Sequence, residues 1–313
     1  MEQVGCLLNN PLVSVCLTCF NQELWIRDAV ESVLIQETSF DFEIIISDDC
    51  STDGTWSSLL NIQAEFPEKI LLVRQEHNVG LAQNWADVIG KARAGYIAYL
   101  EGDDFWTDPL KLEKQFRQLN ANSSYALSFH DYIVIDENGN KSPHQPFVNS
   151  AKRDRTKVEM ASGCLIHQNT MMFRKNFDSL PNGFFQAPDH DTFFIGWLSN
   201  WGSAAYHNEI GPLMYRIHKK GLWGGRARIR RRRDNIETLK LIRKEVAPML
   251  RISIDYRLIS KSLRLSWLNL HSGLVLDSIT CFSSTIYYFL RNPSLFLFCI
   301  SRAYKDLKID DDR

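Results

Sequence analysis

The 313-residue sequence predicts an α/β protein: a doubly wound, mostly parallel sheet flanked by helices, with a C-terminal helical extension. Three observations predict it. Short apolar runs alternate with segments of helical period through the first 130 residues. Acidic loops follow two of those runs, at the carboxyl ends of strands, where open α/β sheets bind ligands. Past Arg226 the composition turns basic and is interrupted by apolar runs.

The elements run in order. Leu12 to Thr18 is the first strand. Asn21 is the expected N-cap of a helix whose apolar positions are Leu24, Ile26, Ala29, Val30, Val33 and Leu34. Phe42 to Ile46 is the second strand, running into the polar loop Asp48 to Gly54 and a helix near residues 55–66. Ile70 to Val73 is the third strand, and Asn78-Val79-Gly80 opens the next helix. Ala94-Gly95 stops that helix before the fourth strand, Tyr96 to Leu100. Thr107-Asp108-Pro109 starts another helix, with proline in its first turn. Beyond residue 125 the pattern is mixed. A strand over Ala126–Asp136, the turn Glu137-Asn138-Gly139-Asn140 and a returning strand form a hairpin. Residues 142–162 are polar loop, Cys164–Phe173 is a strand, Asp189–Leu198 a short helix and Ile210–Ile217 a strand.

Hydrophobic residues make up 44% of the chain, enough for a sizeable core. Seven cysteines are an odd number, and Cys16 and Cys19 lie inside a strand, so reduced thiols of a cytosolic protein are expected rather than a disulfide or zinc knuckle. The first residues lack the basic flank and apolar core of a signal peptide. The net charge of -1 hides an asymmetry: residues 226–313 hold 18 Lys/Arg against 9 Asp/Glu, and the rest is acidic. The uncharged runs Leu265–Leu276 and Ser278–Leu290 fall short of the ~18–20 apolar residues that span a bilayer. Two readings of this tail stay open: attachment to an anionic membrane surface, or a solvated helix face packed on the main domain. Nucleic acid is not an expected partner, because the first two-thirds is acidic.

Glu101-Gly102-Asp103-Asp104 crowds three carboxylates into four residues. Folding gains nothing from that repulsion, and a hard divalent cation removes it. The competing reading is an acidic turn capping the next helix. Neither GxGxxG nor GxxxxGK[ST] is present, which argues against dinucleotide and P-loop chemistry.

Four motifs in this order and spacing carry a resemblance: Val13-Ser-Val-x-Leu-Thr-x-Phe-Asn21, Asp48-Asp-x-Ser-Thr-Asp-Gly-Thr55, Asn78-x-Gly80 and Leu100-x-x-Asp-Asp104. Over roughly residues 12–220 the chain resembles the inverting family 2 glycosyltransferases, whose domain has the GT-A fold. The resemblance implies a nucleotide-sugar donor, Mn2+ or Mg2+, and direct displacement at the anomeric carbon. It sets Thr18, Phe20 and Asn21 against the nucleoside, and Asp49 on the N3–H of uracil or thymine, hence a UDP- or dTDP-sugar. The competing reading of Asp48 and Asp49 is Asx-turn chemistry in a loop, the role expected of Asp53. Asp104 is the implied direct metal ligand, while Asp103 holds the ribose or a metal-bound water. Glu101 stands where relatives carry Asp and, one methylene longer, is not assigned to the metal. Asn84 joins the donor site, but Gln83 replaces a basic residue common in relatives. Arg216 and His218 are the candidate substitutes, His218 as metal contact or structural residue, with Lys219 and Lys220 as solvated charges.

For the base, Pro188-Asp189 replaces the Glu-Asp of relatives. Asp189 is the implied base and Asp191 the alternative; the competing role of Asp189 is an N-cap. Phe184, Phe185, Trp197 and Trp201 either line an acceptor groove or belong to the core. The implied organisation is a GT-A domain over residues 1–225, with a donor half near 12–130 and an acceptor half near 131–225, then a basic amphipathic extension over 226–313. The implied acceptor is a glycan or lipid-linked oligosaccharide of a surface polysaccharide, O-antigen or capsule, met at the cytoplasmic face of the inner membrane. A sugar nucleotidyltransferase and a non-catalytic carbohydrate- or membrane-binding scaffold are the rivals.

Overall fold

A computed structural model describes residues 1–5, 10–143, 147–218, 228–271 and 274–291. Lys219, Lys220, the first two residues of the basic run at Arg226, and 292–313 of the tail lie outside the described residues. Two compact units form, and they interleave along the chain. The first comprises Met1–Thr156, Leu165–Leu180 and Trp201–Gly224. The second comprises Lys157–Cys164, Pro181–Asn200 and Gly225–Arg313.

The first unit holds ten described strands: β1 (Glu2–Val4), β2 (Val13–Cys19), β3 (Phe42–Asp48), β4 (Ile70–Arg74), β5 (Tyr96–Glu101), β6 (Tyr125–Phe129), β7 (Tyr132–Ile135), β8 (Met172–Arg174), β9 (Ser203–Tyr206) and β10 (Leu213–Arg216). Helices α1 (Ile26–Leu34), α2 (Thr55–Glu65), α3 (Leu81–Lys91) and α4 (Lys111–Ala121) connect the early strands. The main sheet runs β1-β4-β3-β2-β5-β8-β6-β9, and a smaller one pairs β10 with β7. Strands β4, β3, β2 and β5 are parallel, as the alternating pattern predicts. All seven residues of β2 are buried, polar Ser14 and Thr18 included, so both faces of this central strand are covered. Antiparallel β8 then joins β5 to the mixed half.

Several sequence expectations are corrected. Asn21 is not an N-cap: α1 starts at Ile26 behind Trp25. Asn21 instead adopts φ 53°, a left-handed conformation that asparagine tolerates. Its Oδ1 accepts from the Thr52 amide at 2.8 Å, and its own amide donates to Ser51 Oγ at 2.9 Å. Helix α4 starts at Lys111, because Asp108 first closes a turn by accepting from the Leu110 amide. The run Ala126–Asp136 breaks into β6 and β7, which join different sheets. Asp136 caps the following turn, and the expected hairpin reduces to one bridge, Ile135 to Lys141. Of Cys164–Phe173 only Met172 and Phe173 enter β8, behind a 3-10 turn at Gln168–Thr170. Those three polar residues are buried with their side chains hydrogen-bonded within the fold, so they do not extend a ladder. The paired thiols point apart, Cys16 to the Val88 carbonyl and Cys19 to the Ser47 carbonyl.

The second unit is helical: α5 (Lys157–Ala161), α6 (Asn182–Gln186), α7 (His190–Leu198), α8 (Arg228–Glu245), α9 (Pro248–His271) and α10 (Val275–Arg291). Helix α7 has six consecutive buried residues, Phe193 to Leu198, and is apolar all round. Helix α9 buries the stripe Leu250, Ile254, Leu258, Ile259 and Leu265 at helical spacing. Phe184 and Trp197 are buried core residues, whereas Phe185 is exposed. Trp201, in the first unit, packs on Phe177. Among the described residues no helix is long and apolar enough to cross a membrane.

Candidate active site

The site begins where β5 ends. Gly102 donates its amide to the Thr18 carbonyl at 2.9 Å, and Asp104 turns back to donate to the Glu101 carbonyl at 3.1 Å. Glycine leaves the room this turn uses: a Cβ at 102 would lie 2.6 Å from Gln22 Oε1 and 2.7 Å from Ile26 Cδ1, so those side chains would have to shift. This tight turn gathers the carboxylates of Glu101, Asp103 and Asp104, each offering an oxygen within 4.8 Å of the others. Glu101, set aside on sequence grounds for its length, therefore belongs to the cluster.

Asp104 is only 1% exposed. Its Oδ2 accepts from Asn169 Nδ2 at 2.5 Å and its Oδ1 from the Arg216 backbone amide at 2.8 Å. Asn169 Nδ2 also reaches Glu101 at 3.1 Å, and Gln168 Nε2 donates to the other Glu101 oxygen at 3.1 Å. Burial pushes the Asp104 carboxyl well above the usual carboxylate range; the charges of Asp103 and Glu101 add to the rise, and the two donors oppose it. Asp103 Oδ2 lies 3.0 Å from His218 Nε2, while its buried Oδ1 has no hydrogen-bond partner. Buried acceptors are ordinarily satisfied, so the orphan marks a place for a ligand. Three crowded carboxylates with one orphaned oxygen fit a hard divalent cation such as Mn2+ or Mg2+.

Arg216 sits beside this cluster. Its Nε donates to the Asp103 carbonyl at 3.1 Å, and its guanidinium lies 5.6 Å from the Trp25 ring and 5.9 Å from Phe105. The His218 ring packs 4.4 Å from Trp25. Arg216, His218, Asp103 and Asp104 are thus brought together. Asn169 and Gln168 were missed by sequence reasoning. Their signal was a polar Gln-Asn-Thr run inside an otherwise strand-like stretch.

The other donor-site candidates hold the ends of β2 and β3. Asp49 Oδ1 accepts from the Val79 amide at 2.7 Å and Oδ2 from the Gly80 amide at 3.0 Å, leaving each oxygen a second lone pair. Burial raises its pKa, and those amides oppose the shift. Asp48 is fully buried, accepting from the Ser51 amide and hydroxyl. Asp53 closes an Asx turn on the Thr55 amide at 3.0 Å. Thr18 Oγ1 is buried against the Tyr99 hydroxyl at 2.5 Å, and Asn84 locks α3 to β3 through Ser47 at 2.6 Å. Phe20 is 41% exposed and free to meet a planar ring.

In the second unit Asp189 is the N-cap of α7, accepting from the Thr192 amide at 3.1 Å and hydroxyl at 2.9 Å. Asp191 follows in the first turn, its carboxyl pushed up to about 8 by burial and then by Asp189. His190 Nε2 stands 3.1 Å from Asp191 Oδ1, at ion-pair distance but without hydrogen-bond geometry.

A sheet whose central parallel strands end in acidic loops, one with a carboxylate cluster around buried Asp104 suited to a cation, is the arrangement of the GT-A fold. The family model of glycosyl transferase family 2 matches residues 14–180, more than half of the chain, and the chain belongs to that family. It is 33% identical over 218 residues to Rv1520 of Mycobacterium tuberculosis, covering 67% of this chain and 60% of that protein. The chain thus spans under two-thirds of that relative's length. WfaP of Escherichia coli, a UDP-Glc:alpha-D-GlcNAc-diphosphoundecaprenol beta-1,3-glucosyltransferase, is 34% identical over 125 residues, 39% of this chain and 47% of that one. The mannosyltransferase PcManGT of Pyrobaculum calidifontis, solved with GDP-Man and Mn2+, shares the fold at TM-score 0.60 and 16% identity, over 96% of this chain and 88% of that one.

Proposed function

We propose that the protein is an inverting, metal-dependent glycosyltransferase. It moves one sugar from a UDP- or dTDP-sugar to a glycan or lipid-linked oligosaccharide acceptor of surface polysaccharide biosynthesis. The observation that carries this reading is the Glu101–Asp103–Asp104 carboxylate cluster, with Asp104 buried, in a family 2 chain. The sugar-diphosphate acceptor named for WfaP supports the lipid-linked class.

Asp104, with Asp103 and Glu101, would hold the Mn2+ or Mg2+. When bound, that ion neutralises charge growing on the donor diphosphate. Arg216 adds a fixed cation, held by the Asp103 carbonyl and stacked near Trp25. His218 orients Asp103 from the side opposite the orphaned oxygen. Phe20, Thr18, Asn21, Asp49 and Asn84 form the nucleoside end. Asp189 takes the acceptor hydroxyl's proton, and Asp191 is the alternative, favoured by a carboxyl near the pH at which a base works. Residues 1–225 serve transfer, the stretch 12–130 the donor and 131–225 the acceptor. The 226–313 extension meets an anionic membrane at its cytoplasmic face. Exposed Leu276, Ile279, Phe282, Ile286 and Leu290 recur along one side of α10 and support that attachment.

Calorimetric titration with UDP, dTDP, GDP and CMP, with and without Mn2+, tests the donor assignment. Metal-dependent UDP or dTDP binding that is lost in Asp104→Ala is the expected result. Preference for GDP keeps the transferase and overturns the Asp49 assignment; no binding favours the scaffold.

A further inference from the structure

The second unit carries a cluster of like charge that the chemistry above leaves unused. Arg257, Lys261 and Arg264 are spaced i, i+4 and i+7 on α9 and share one helix face. Helix α8 packs against α9 and adds Arg232. Three other cations of the unit are matched: Arg233 pairs with Asp277 at 2.6 Å, Lys240 with Glu237 at 2.8 Å, and Arg243 with Asp255 at 3.0 Å. Among the described residues, Lys261 and Arg257 have no such carboxylate. Lys261 is half-buried; burial, then Arg257, Arg232 and Arg264, push its ammonium down to about 8, and Asp189 is the carboxylate that opposes them.

Crowding cations around a half-buried ammonium costs folding free energy, and a multiply charged anion removes that cost. Guanidinium forks and an ammonium are the donors that phosphate oxygens take. The donor diphosphate already has its partners in the first unit. An anion beside Asp189, the proposed acceptor base, belongs instead to the acceptor.

We propose that Arg257, Lys261 and Arg264, with Arg232, bind a phosphate or diphosphate carried by the acceptor, beside Asp189. The inference rests on the acceptor-side role of Asp189 given above. It assigns the acceptor to the class of sugars linked through phosphate to a prenyl chain, and it gives the basic face of α9 a selective role.

The test is calorimetry of the full chain with geranyl diphosphate, in an Asp104→Ala background and with EDTA, so that the donor site is silent. Arg257→Ala and Lys261→Ala should each weaken binding about tenfold or more, and Lys261→Arg should stay within about threefold. Arg257 is exposed, so its variant tests the idea even if Lys261→Ala fails to fold. Absence of binding in the background chain, or binding by both alanine variants as tight as that of the background chain, overturns the proposal. Vesicles of phosphatidylglycerol form the second arm: loss of vesicle binding with geranyl diphosphate binding intact also overturns it, in favour of a lipid-headgroup contact. The experiment uses no nucleotide, so failure of the donor assignment shows separately in the nucleotide titrations.

Discussion

The two units each concentrate charge of one sign, and they hold it differently. In the first, Glu101, Asp103 and Asp104 lie at a strand end, and amide donors from Asn169, Gln168 and Arg216 fix two of them from behind. In the second, long cationic side chains share a half-exposed helix face, and Asp189 opposes their repulsion at Lys261. A small cation demands ligands in fixed geometry, so its site is built on rigid backbone and second-layer hydrogen bonds. A phosphate tolerates several approaches and can be gathered by flexible arms.

The rigid site of the first unit is most vulnerable at Asp104. Asp104→Ala should bring transfer from a nucleotide sugar below detection. Asp104→Asn should leave the metal-free melting temperature unchanged or raised, since a buried carboxylate among like charges is removed, while abolishing the rise that Mn2+ gives. Loss of fold in the metal-free Asn variant would contradict the repulsion argument. Next comes Asp189→Asn, expected to lower kcat about a hundredfold or more with donor affinity intact. Asparagine caps helices well, so α7 should persist. Near-normal turnover in this variant, with collapse in Asp191→Asn, would move the base by two residues. Asn169→Leu removes the amide shared by Asp104 and Glu101 and should weaken Mn2+ binding about tenfold, read by calorimetry.

The smallest effect is a pH slope. The Asp191 carboxyl stands at about 8 in the fold, far above its unfolded value. The folded state therefore binds the extra proton, and this stabilising contribution is complete below the unfolded carboxylate pKa. It is lost as pH rises toward and through about 8. Melting temperature should fall from pH 5 to pH 8 more steeply in the parent than in Asp191→Asn. Parallel curves would show that Asp191 is solvated.

Much of the first unit is legible in the sequence. Strands β2, β3 and β5 bury both faces and are rich in apolar residues, which local composition reveals. The carboxylates beyond β5 are equally visible, because crowded like charge has few structural uses. The chain past residue 125 is less legible. His130 and Asp131 separate strands of two different sheets, and nothing local tells a chain which sheet it will join. Asn169 looks like a polar interruption until its distant partners arrive, 65 residues away at Asp104. Asn21 satisfies a cap pattern, yet the neighbouring loop takes its side chain first.

The sequence by itself determined the parallel core, the acidic turn after β5 and the charge break at Arg226. Each comes from short-range chemistry: side-chain burial, backbone turning at glycine, and repulsion between neighbours. Tertiary structure decided that Glu101 joins the cluster, that Asn169 and Arg216 brace it, that Asp189 caps α7 and that residues 157–164 and 181–200 group with the C-terminal helices. Those outcomes depend on which distant groups compete for the same hydrogen bonds and the same buried space, and only the folded chain sets that competition.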